Sequence, residues 1–239
     1  MELLNKEETL YRISDKQERT KKDILAYKLN RSLKDIPADW HNRTFADFDN
    51  TELKQTADKL KQWDFKNPNT AGIISQMNGI GKTHLATCIY KKYIYENFEK
   101  QFDKIVIDHS EDVLDNLQDW IYWNHDFNIL FLSEKKLALI IQETFNQKSK
   151  TQLDVLEYYC NLDFLIIDDC FAMKQNEFAR QNIFYIIDER TEWKNKPTFI
   201  TSNLSLSEIA DIDTRIADRI RTSYLFQIKD KINSFRSGK

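Results

Sequence analysis

An α/β fold, with a central parallel β-sheet flanked by helices, is predicted by three features of this sequence. Short apolar runs alternate with helical patterns, a glycine-rich turn joins the first run to a helix, and a later run ends in two adjacent aspartates. At 239 residues the chain is long enough for one large domain, or a domain with an appendage, around a sizeable core. An apolar content of 41% excludes a disordered chain, and 31% charged residues fits a water-exposed surface. A net charge of −3 gives no general attraction to nucleic acid, so any DNA contact needs a local basic patch.

Cys88, Cys160 and Cys170 show neither metal-ligand nor disulfide spacing, which points to reduced thiols. The four histidines, His41, His84, His109 and His125, are scattered without ligand spacing. No apolar run reaches membrane-spanning length, and Met-Glu-Leu-Leu-Asn-Lys-Glu-Glu at the N-terminus lacks the pattern of a secretion signal. The expectation is a cytoplasmic protein.

Residues 1–36 read as helix, with nine Lys/Arg against seven Asp/Glu and no glycine or proline before Pro37. Leu25, Leu29, Leu33 and Ile36 form one narrow apolar stripe, which needs a partner on this domain or on another protein. Pro37-Ala-Asp-Trp breaks the helix, and Trp40, Phe45 and Phe48 follow as an aromatic cluster that either walls an adenine pocket or packs in the core. A helix is expected over 51–65 with Thr51 as N-cap.

Ala71 to Ile74 is a candidate buried strand, and residues 72–84 read Gly-Ile-Ile-Ser-Gln-Met-Asn-Gly-Ile-Gly-Lys-Thr-His. Three of the chain's four glycines, Gly72, Gly79 and Gly81, lie here. After the turn, Leu85, Ile89 and Tyr93 recur four apart, as one buried helix face would. Strand, glycine turn, Lys-Thr, helix is the context of a phosphate-binding loop. The backbone N–H groups from Asn78 through Gly79, Ile80, Gly81, Lys82, Thr83 and His84 would cradle phosphates, Lys82 would reach the β- and γ-phosphates, and Thr83 would hold Mg²⁺. The pattern's first glycine is missing, since Gln76 stands there; a negative φ would let the loop keep its course.

Lys104 to Asp108 reads as a short strand. From Asp108 to Asp126 there are six acidic residues and no Lys or Arg, accompanied by Trp120, Tyr122 and Trp123, with Phe127 next. Such a segment is a poor DNA surface; it serves as a protein-contact surface or as an inserted helix with inward aromatics. Strand 128–132, helix 133–145 with Ser133 as N-cap, a turn carrying Lys148 and Lys150, and helix 152–160 follow.

Leu165, Ile166 and Ile167 form a continuous apolar run that ends in Asp168 and Asp169. Adjacent carboxylates where a buried strand emerges repel unless a cation neutralises them, so Asp168 is a candidate Mg²⁺ ligand and Asp169 a candidate to orient an attacking water. A helix over 177–193, a strand over 197–202 ending at Asn203, a helix carrying Arg215, Arg219 and Arg221, and a last strand over 224–228 complete the pattern.

In this order the pieces resemble an AAA+ ATPase, a P-loop NTPase class, and in particular the DnaC/DnaI replicative helicase loaders and the related IstB-type transposition helpers. The resemblance runs over residues 36–236: Ile36-Pro37 with Thr44-Phe45; Gly-Ile-Gly-Lys-Thr-His-Leu-Ala at 79–86; Phe-Leu-Ser-Glu-Lys-Lys-Leu at 131–137; Glu-Thr-Phe at 143–145; Leu-Ile-Ile-Asp-Asp at 165–169; Pro-Thr-Phe-Ile-Thr-Ser-Asn at 197–203; Arg-Ile-Ala-Asp-Arg-Ile-Arg at 215–221; and Ser-Phe-Arg at 234–236.

That resemblance implies a sensor role for Asn203, an arginine finger acting on a neighbouring subunit's ATP for Arg219, and a second sensor acting in its own subunit for Arg236. It implies single-stranded DNA contacts at Phe145, Lys148 and Lys150 on the paired helices 133–160. It assigns residues 1–36 to gripping the replicative helicase and 37–239 to the ATPase domain, with 102–127 as an acidic-aromatic insertion. The expected activity is ATP-dependent helicase loading by an oligomer using ATP and Mg²⁺, with slow hydrolysis by isolated subunits. A short N-terminal segment suggests phage or mobile-element origin. An IstB-type transposition helper and a non-catalytic adaptor are the alternatives. Two departures stand out: Gln76 replaces a glycine, and Cys170-Phe171 replaces an apolar residue and glycine after the acids.

Overall fold

A computed structural model describes residues 21–22, 25–49, 51–66, 69–108, 128–146, 151–172, 177–221 and 223–228. The chain divides into two compact units, Met1–Lys34 with Lys91–Phe127, and Asp35–Tyr90 with Asn128–Lys239. The larger unit holds a five-stranded sheet in the order β2-β3-β4-β1-β5. Its strands are β1 (Thr70–Ile74), β2 (Ile129–Ser133), β3 (Phe164–Cys170), β4 (Thr198–Ser202) and β5 (Tyr224–Gln227). All four pairings are parallel. The helices are α1 (Lys54–Lys61), α2 (Lys82–Asp108), α3 (Glu134–Glu143), α4 (Gln152–Asn161), α5 (Glu177–Asp188), α6 (Leu206–Ile212) and α7 (Thr214–Arg221).

The strand-to-strand crossovers needed by a parallel sheet place helices over it, which is why β1 and β4 are buried at every position. The two faces differ in chemistry. Leu165 and Ile167 of β3 join Ile200, Ile183, Ile186 and Ile187 in an aliphatic core. Phe164 and Phe199 lie instead among aromatic rings, Phe164 at 5.4 Å from Phe65 and Phe199 at 6.1 Å from Trp63. The alternation follows from the two-residue period of a strand. Gly72 belongs to this packing. A Cβ there would meet Ile200 Cγ1 at 2.7 Å and the Ile200 carbonyl oxygen at 2.9 Å, so this glycine lets β4 pass close to β1.

At the N-terminal ends of β1 and β4 a single buried cation ties the elements together. After α5 the chain widens into a π-helical turn, Glu189–Trp193, and Arg190 within it is 0% exposed. Its Nε donates to Thr198 Oγ1 at 2.8 Å, one terminal nitrogen to the carbonyls of Tyr159, Cys160 and Leu162, and the other to the Pro197 carbonyl at 2.7 Å. The Asn69 side chain donates in turn to the Arg190 carbonyl at 3.3 Å. The carbonyls at the end of α4 carry the negative pole of that helix, so the guanidinium satisfies orphan acceptors where positive charge is favoured.

Most predicted elements are present, and two expectations are corrected. Lys104 to Asp108 is not a strand but the end of α2, because no glycine or proline interrupts the chain from Lys82 onward. Thr51 does not cap a long helix: its hydroxyl donates to the Phe48 carbonyl, and α1 starts at Lys54 after Leu53, with no side-chain cap. In the smaller unit residues 25–32 are helical, Lys28 and Leu33 are buried, and Lys21 pairs with Glu99. Residues 1–20 and most of the expected 102–127 insertion lie outside the described residues. Among the described residues no helix is long and apolar enough to cross a membrane.

Gly72→Ala is expected to destabilise the protein by about 1–3 kcal/mol through overpacking against Ile200. Urea unfolding should show a lower midpoint with an unchanged slope.

Candidate nucleotide site at the C-terminal end of the sheet

The loop between β1 and α2 starts where Ser75 donates its N–H to the Ser202 carbonyl at 3.0 Å, one residue beyond the strand. Gly79 and Gly81 adopt φ of 75° and 102°, values that a side chain resists. Gln76 is not among the left-handed residues, so the loop keeps its course without the missing glycine. Its side chain turns outward and donates to Glu208 Oε2 at 2.9 Å, the same oxygen that caps the start of α6 through Ser205. Lys82 is buried, and its Nζ donates to the Ser75 and Met77 carbonyls at 3.0 and 2.6 Å, which folds the ammonium back across the loop. No acidic residue occupies the first turn of α2, so the helix does not itself neutralise its positive pole.

Opposite the loop, β3 bulges. Its register with β4 is broken between Ile167 and Cys170, and Asp169 and Phe171 take positive φ of 54° and 66°. This explains one departure from the loader pattern: the backbone at 171 has the conformation glycine favours, but a phenylalanine anchored in the aliphatic core occupies it. Left-handed backbone at a non-glycine residue costs about 1–2 kcal/mol, which core burial of the ring offsets.

The bulge brings both aspartates to the end of the sheet. The Thr83 hydroxyl donates to the Asp168 carboxylate, at 3.0 Å to Oδ2 and 3.2 Å to Oδ1. Thr201 donates to Asp168 Oδ1 at 2.6 Å and accepts the Asp169 N–H at 3.0 Å. Asn203 Nδ2 donates to Asp169 Oδ1 at 2.9 Å. Burial pushes the Asp168 carboxyl above its ordinary value; the Thr201 hydrogen bond opposes this and the Asp169 charge adds to it. A carboxylate 8% exposed and destabilised by its own charge, with a threonine oxygen against it, suits a divalent cation. No cluster of three His, Cys, Asp or Glu that could hold a metal exists among the described residues. One carboxylate with one threonine hydroxyl is a donor set compatible with Mg²⁺, which keeps waters and takes phosphate oxygens.

Lys82, Thr83, Asp169 and Asn203 line one cleft of about 690 Å³, together with Trp40 and Arg43 from the segment before α1. The aromatic cluster thus divides: Trp40 reaches the cleft, and Phe48 is core, 4.3 Å from the His84 ring. His84 itself is buried, with Nε2 at 3.1 Å from Asp47 and 3.3 Å from the Thr44 carbonyl, so its side chain ties this segment to α2. Burial holds its pKa below the ordinary histidine value, with the Asp47 charge opposing.

Arg219 on α7 is not among the cleft residues; it pairs with Asp188 at 2.9 Å and Glu192 at 3.4 Å. Phe145 is 62% exposed, its ring 5.4 Å from Phe178. Lys148, Lys150 and Arg236 lie outside the described residues. Sequence reasoning missed Thr201 and Arg43. Thr201 carried a signal, because it stands two residues before Asn203 at the same strand end and so shares its face; Arg43 carried none.

Two outcomes follow from these environments. Below 6.5, the ordinary histidine value, the unfolded chain protonates this imidazole more readily than the folded one. The stability due to His84 is thus present above that value and lost as pH falls towards the folded pKa. His84→Gln, which keeps an N–H donor, should flatten the fall in unfolding free energy from about pH 7 to about pH 5, read by urea titration. Asp168, whose folded pKa is raised above 3.8, loses folding stability as pH rises through that value. Asp168→Asn should therefore raise the melting temperature of the nucleotide-free protein by about 2–4 °C, read by calorimetry at neutral pH.

Comparison with known proteins places this geometry. The model of the bacterial DnaA ATPase domain family matches residues 118–226, which include both aspartates, Asn203 and Arg219 but not the phosphate loop. The replicative helicase loader DnaC of Escherichia coli K12 is 22% identical over 111 residues, 46% of this chain and 45% of the loader. The matched stretch is thus less than half of that relative's length. In fold, a DnaC helicase loader structure superposes with a TM-score of 0.54 at 20% identity, covering 81% of this chain and 100% of that one. A DnaI structure gives 0.51 at 19% identity, covering 82% and 93%. Replication initiator DnaA bound to AMPPCP and single-stranded DNA gives 0.58 at 15% identity, covering 79% and 50%. Sequence match and fold agree: the chain has the fold of the DnaA and DnaC/DnaI structures, and part of its sequence is similar to the DnaC loader and to the DnaA ATPase domain family.

Proposed function

We propose that this chain binds ATP with Mg²⁺ between Lys82 and the Asp168–Asp169 pair, hydrolyses it, and uses that cycle to load a replicative helicase. The observation that carries the nucleotide reading is Thr83, which lines the cleft with Lys82 and Asp169 and whose hydroxyl is 3.0 Å from the buried Asp168 carboxylate. Thr83 and Asp168 would hold Mg²⁺, whose charge would draw electron density from the phosphates and relieve the buried carboxylate. The N–H groups of residues 78–84 donate to phosphate oxygens at the start of α2. Lys82 leaves carbonyl acceptors for phosphate acceptors, with its charge already placed. Asp169, held by Asn203, orients the attacking water and receives its proton.

The remaining roles follow from likeness to the loaders. Arg219 completes a neighbouring subunit's site; its side chain is 37% exposed and its pairing with Asp188 and Glu192 keeps the guanidinium at the surface. Arg236 acts within its own subunit. Phe145, with Lys148 and Lys150, contacts single-stranded DNA, as its exposed ring supports. Residues 1–36 grip the helicase, residues 37–239 form the ATPase domain around the 102–127 insertion, and the protein works in the cytoplasm as an oligomer.

Lys82→Ala is expected to lower ATP turnover by at least about 10²-fold when the wild type is assayed with single-stranded DNA and a replicative helicase. Equal turnover by both proteins would leave a non-catalytic adaptor as the surviving reading.

A further inference from the structure

Thr201 is 0% exposed, and its hydroxyl is used in both directions. Its proton goes to Asp168 Oδ1 at 2.6 Å, and its oxygen receives the Asp169 N–H at 3.0 Å. The reason lies in the bulge. Between Ile167 and Cys170 the β3–β4 ladder loses register and skips both aspartates, so on the β4 side their backbone has no ladder partner; Asp168 keeps its pairing with Ser133 of β2.

Three successive side chains, the last two of β4 and the residue after it, take over. Thr201 donates to Asp168, Ser202 donates to the Cys170 carbonyl at 2.7 Å, and Asn203 donates to Asp169 Oδ1. Of these, Thr201 alone touches both aspartates. By binding Oδ1 it leaves Oδ2 as the Asp168 oxygen nearer to Thr83. By accepting the Asp169 N–H it helps to hold a left-handed backbone that costs an aspartate energy.

We propose that Thr201 is a positioning residue of this site, whose one buried hydroxyl sets the metal-facing carboxylate of Asp168 and the bulge that aims Asp169. The inference rests on the reading of the cleft as a Mg·ATP site. Thr201 is not among the residues that line the cleft, so it would act through the two aspartates. Valine has the same shape without the hydroxyl, so it removes one donor from Asp168 and the only hydrogen-bond acceptor shown for the Asp169 N–H.

The test compares full-length wild type, Thr201→Val and Thr201→Ser. Two quantities are read: binding of a fluorescent ATP analogue as Mg²⁺ is titrated, and steady-state ATP turnover. With Thr201→Val, half-saturating Mg²⁺ should rise about 10-fold and kcat fall about 10–100-fold, while KM for ATP stays within about threefold. Thr201→Ser should stay within about threefold of wild type in all three. Should the valine variant fail to fold, Thr201→Cys offers the same contrast with serine, a weak thiol donor in place of a hydroxyl. Wild-type Mg²⁺ dependence and turnover in the hydroxyl-free variant would overturn the proposal. So would a serine variant as impaired as the valine one, since packing would then be the cause. If the wild type itself shows no Mg²⁺-dependent nucleotide binding, the cleft reading falls and takes this inference with it.

Discussion

A buried strand that ends in two adjacent carboxylates is the constraint on which this fold's working end depends. Asp168 is kept in a nearly closed environment by hydroxyls from both sides, Thr83 on α2 and Thr201 on β4. Those two contacts join the three segments that any phosphate chemistry here needs: the loop after β1, the end of β3 and the end of β4. The charge is costly where it sits, and hydroxyl donors offset only part of that cost. A group that would be a defect in an ordinary core is therefore poised to gain from a cation.

The two ends of the sheet divide the labour. At the N-terminal ends of β1 and β4, Arg190 is surrounded by carbonyl and hydroxyl acceptors from several segments, a fixed and highly satisfied arrangement. At the C-terminal ends, the polar groups meet through side chains that can exchange partners. Lys82 rests on carbonyls of its own loop, and Thr83 rests on Asp168. A cation satisfied by backbone and side-chain acceptors at one end, with side-chain contacts around a buried carboxylate at the other, is a distribution that suits the proposed anion site.

The departures from the loader pattern have distinct physical origins. Gln76 is tolerated because its φ is not left-handed, and its amide meets Glu208 at the start of α6. Phe171 is tolerated despite a left-handed φ, because its ring belongs to the aliphatic core. Gly72, which sits in β1 before the loop, answers to the close approach of Ile200 across the sheet.

The order of strands and helices, the loop and the aspartate pair were legible in the sequence, because periodicity, glycine placement and adjacent charges are local signals. The strand expected at 104–108 failed for the same reason: Ile105-Val106-Ile107 favours a strand locally, but an uninterrupted helix from Lys82 carries through it. Only the tertiary structure decided the rest. It turned Gln76 outward, separated Trp40 from Phe48, and put His84 against Asp47. It also opened the β3 bulge that gives Thr201 its two partners. Each depends on which residue of a distant segment comes alongside, and that register is set by the packing of the whole sheet, which no local pattern encodes.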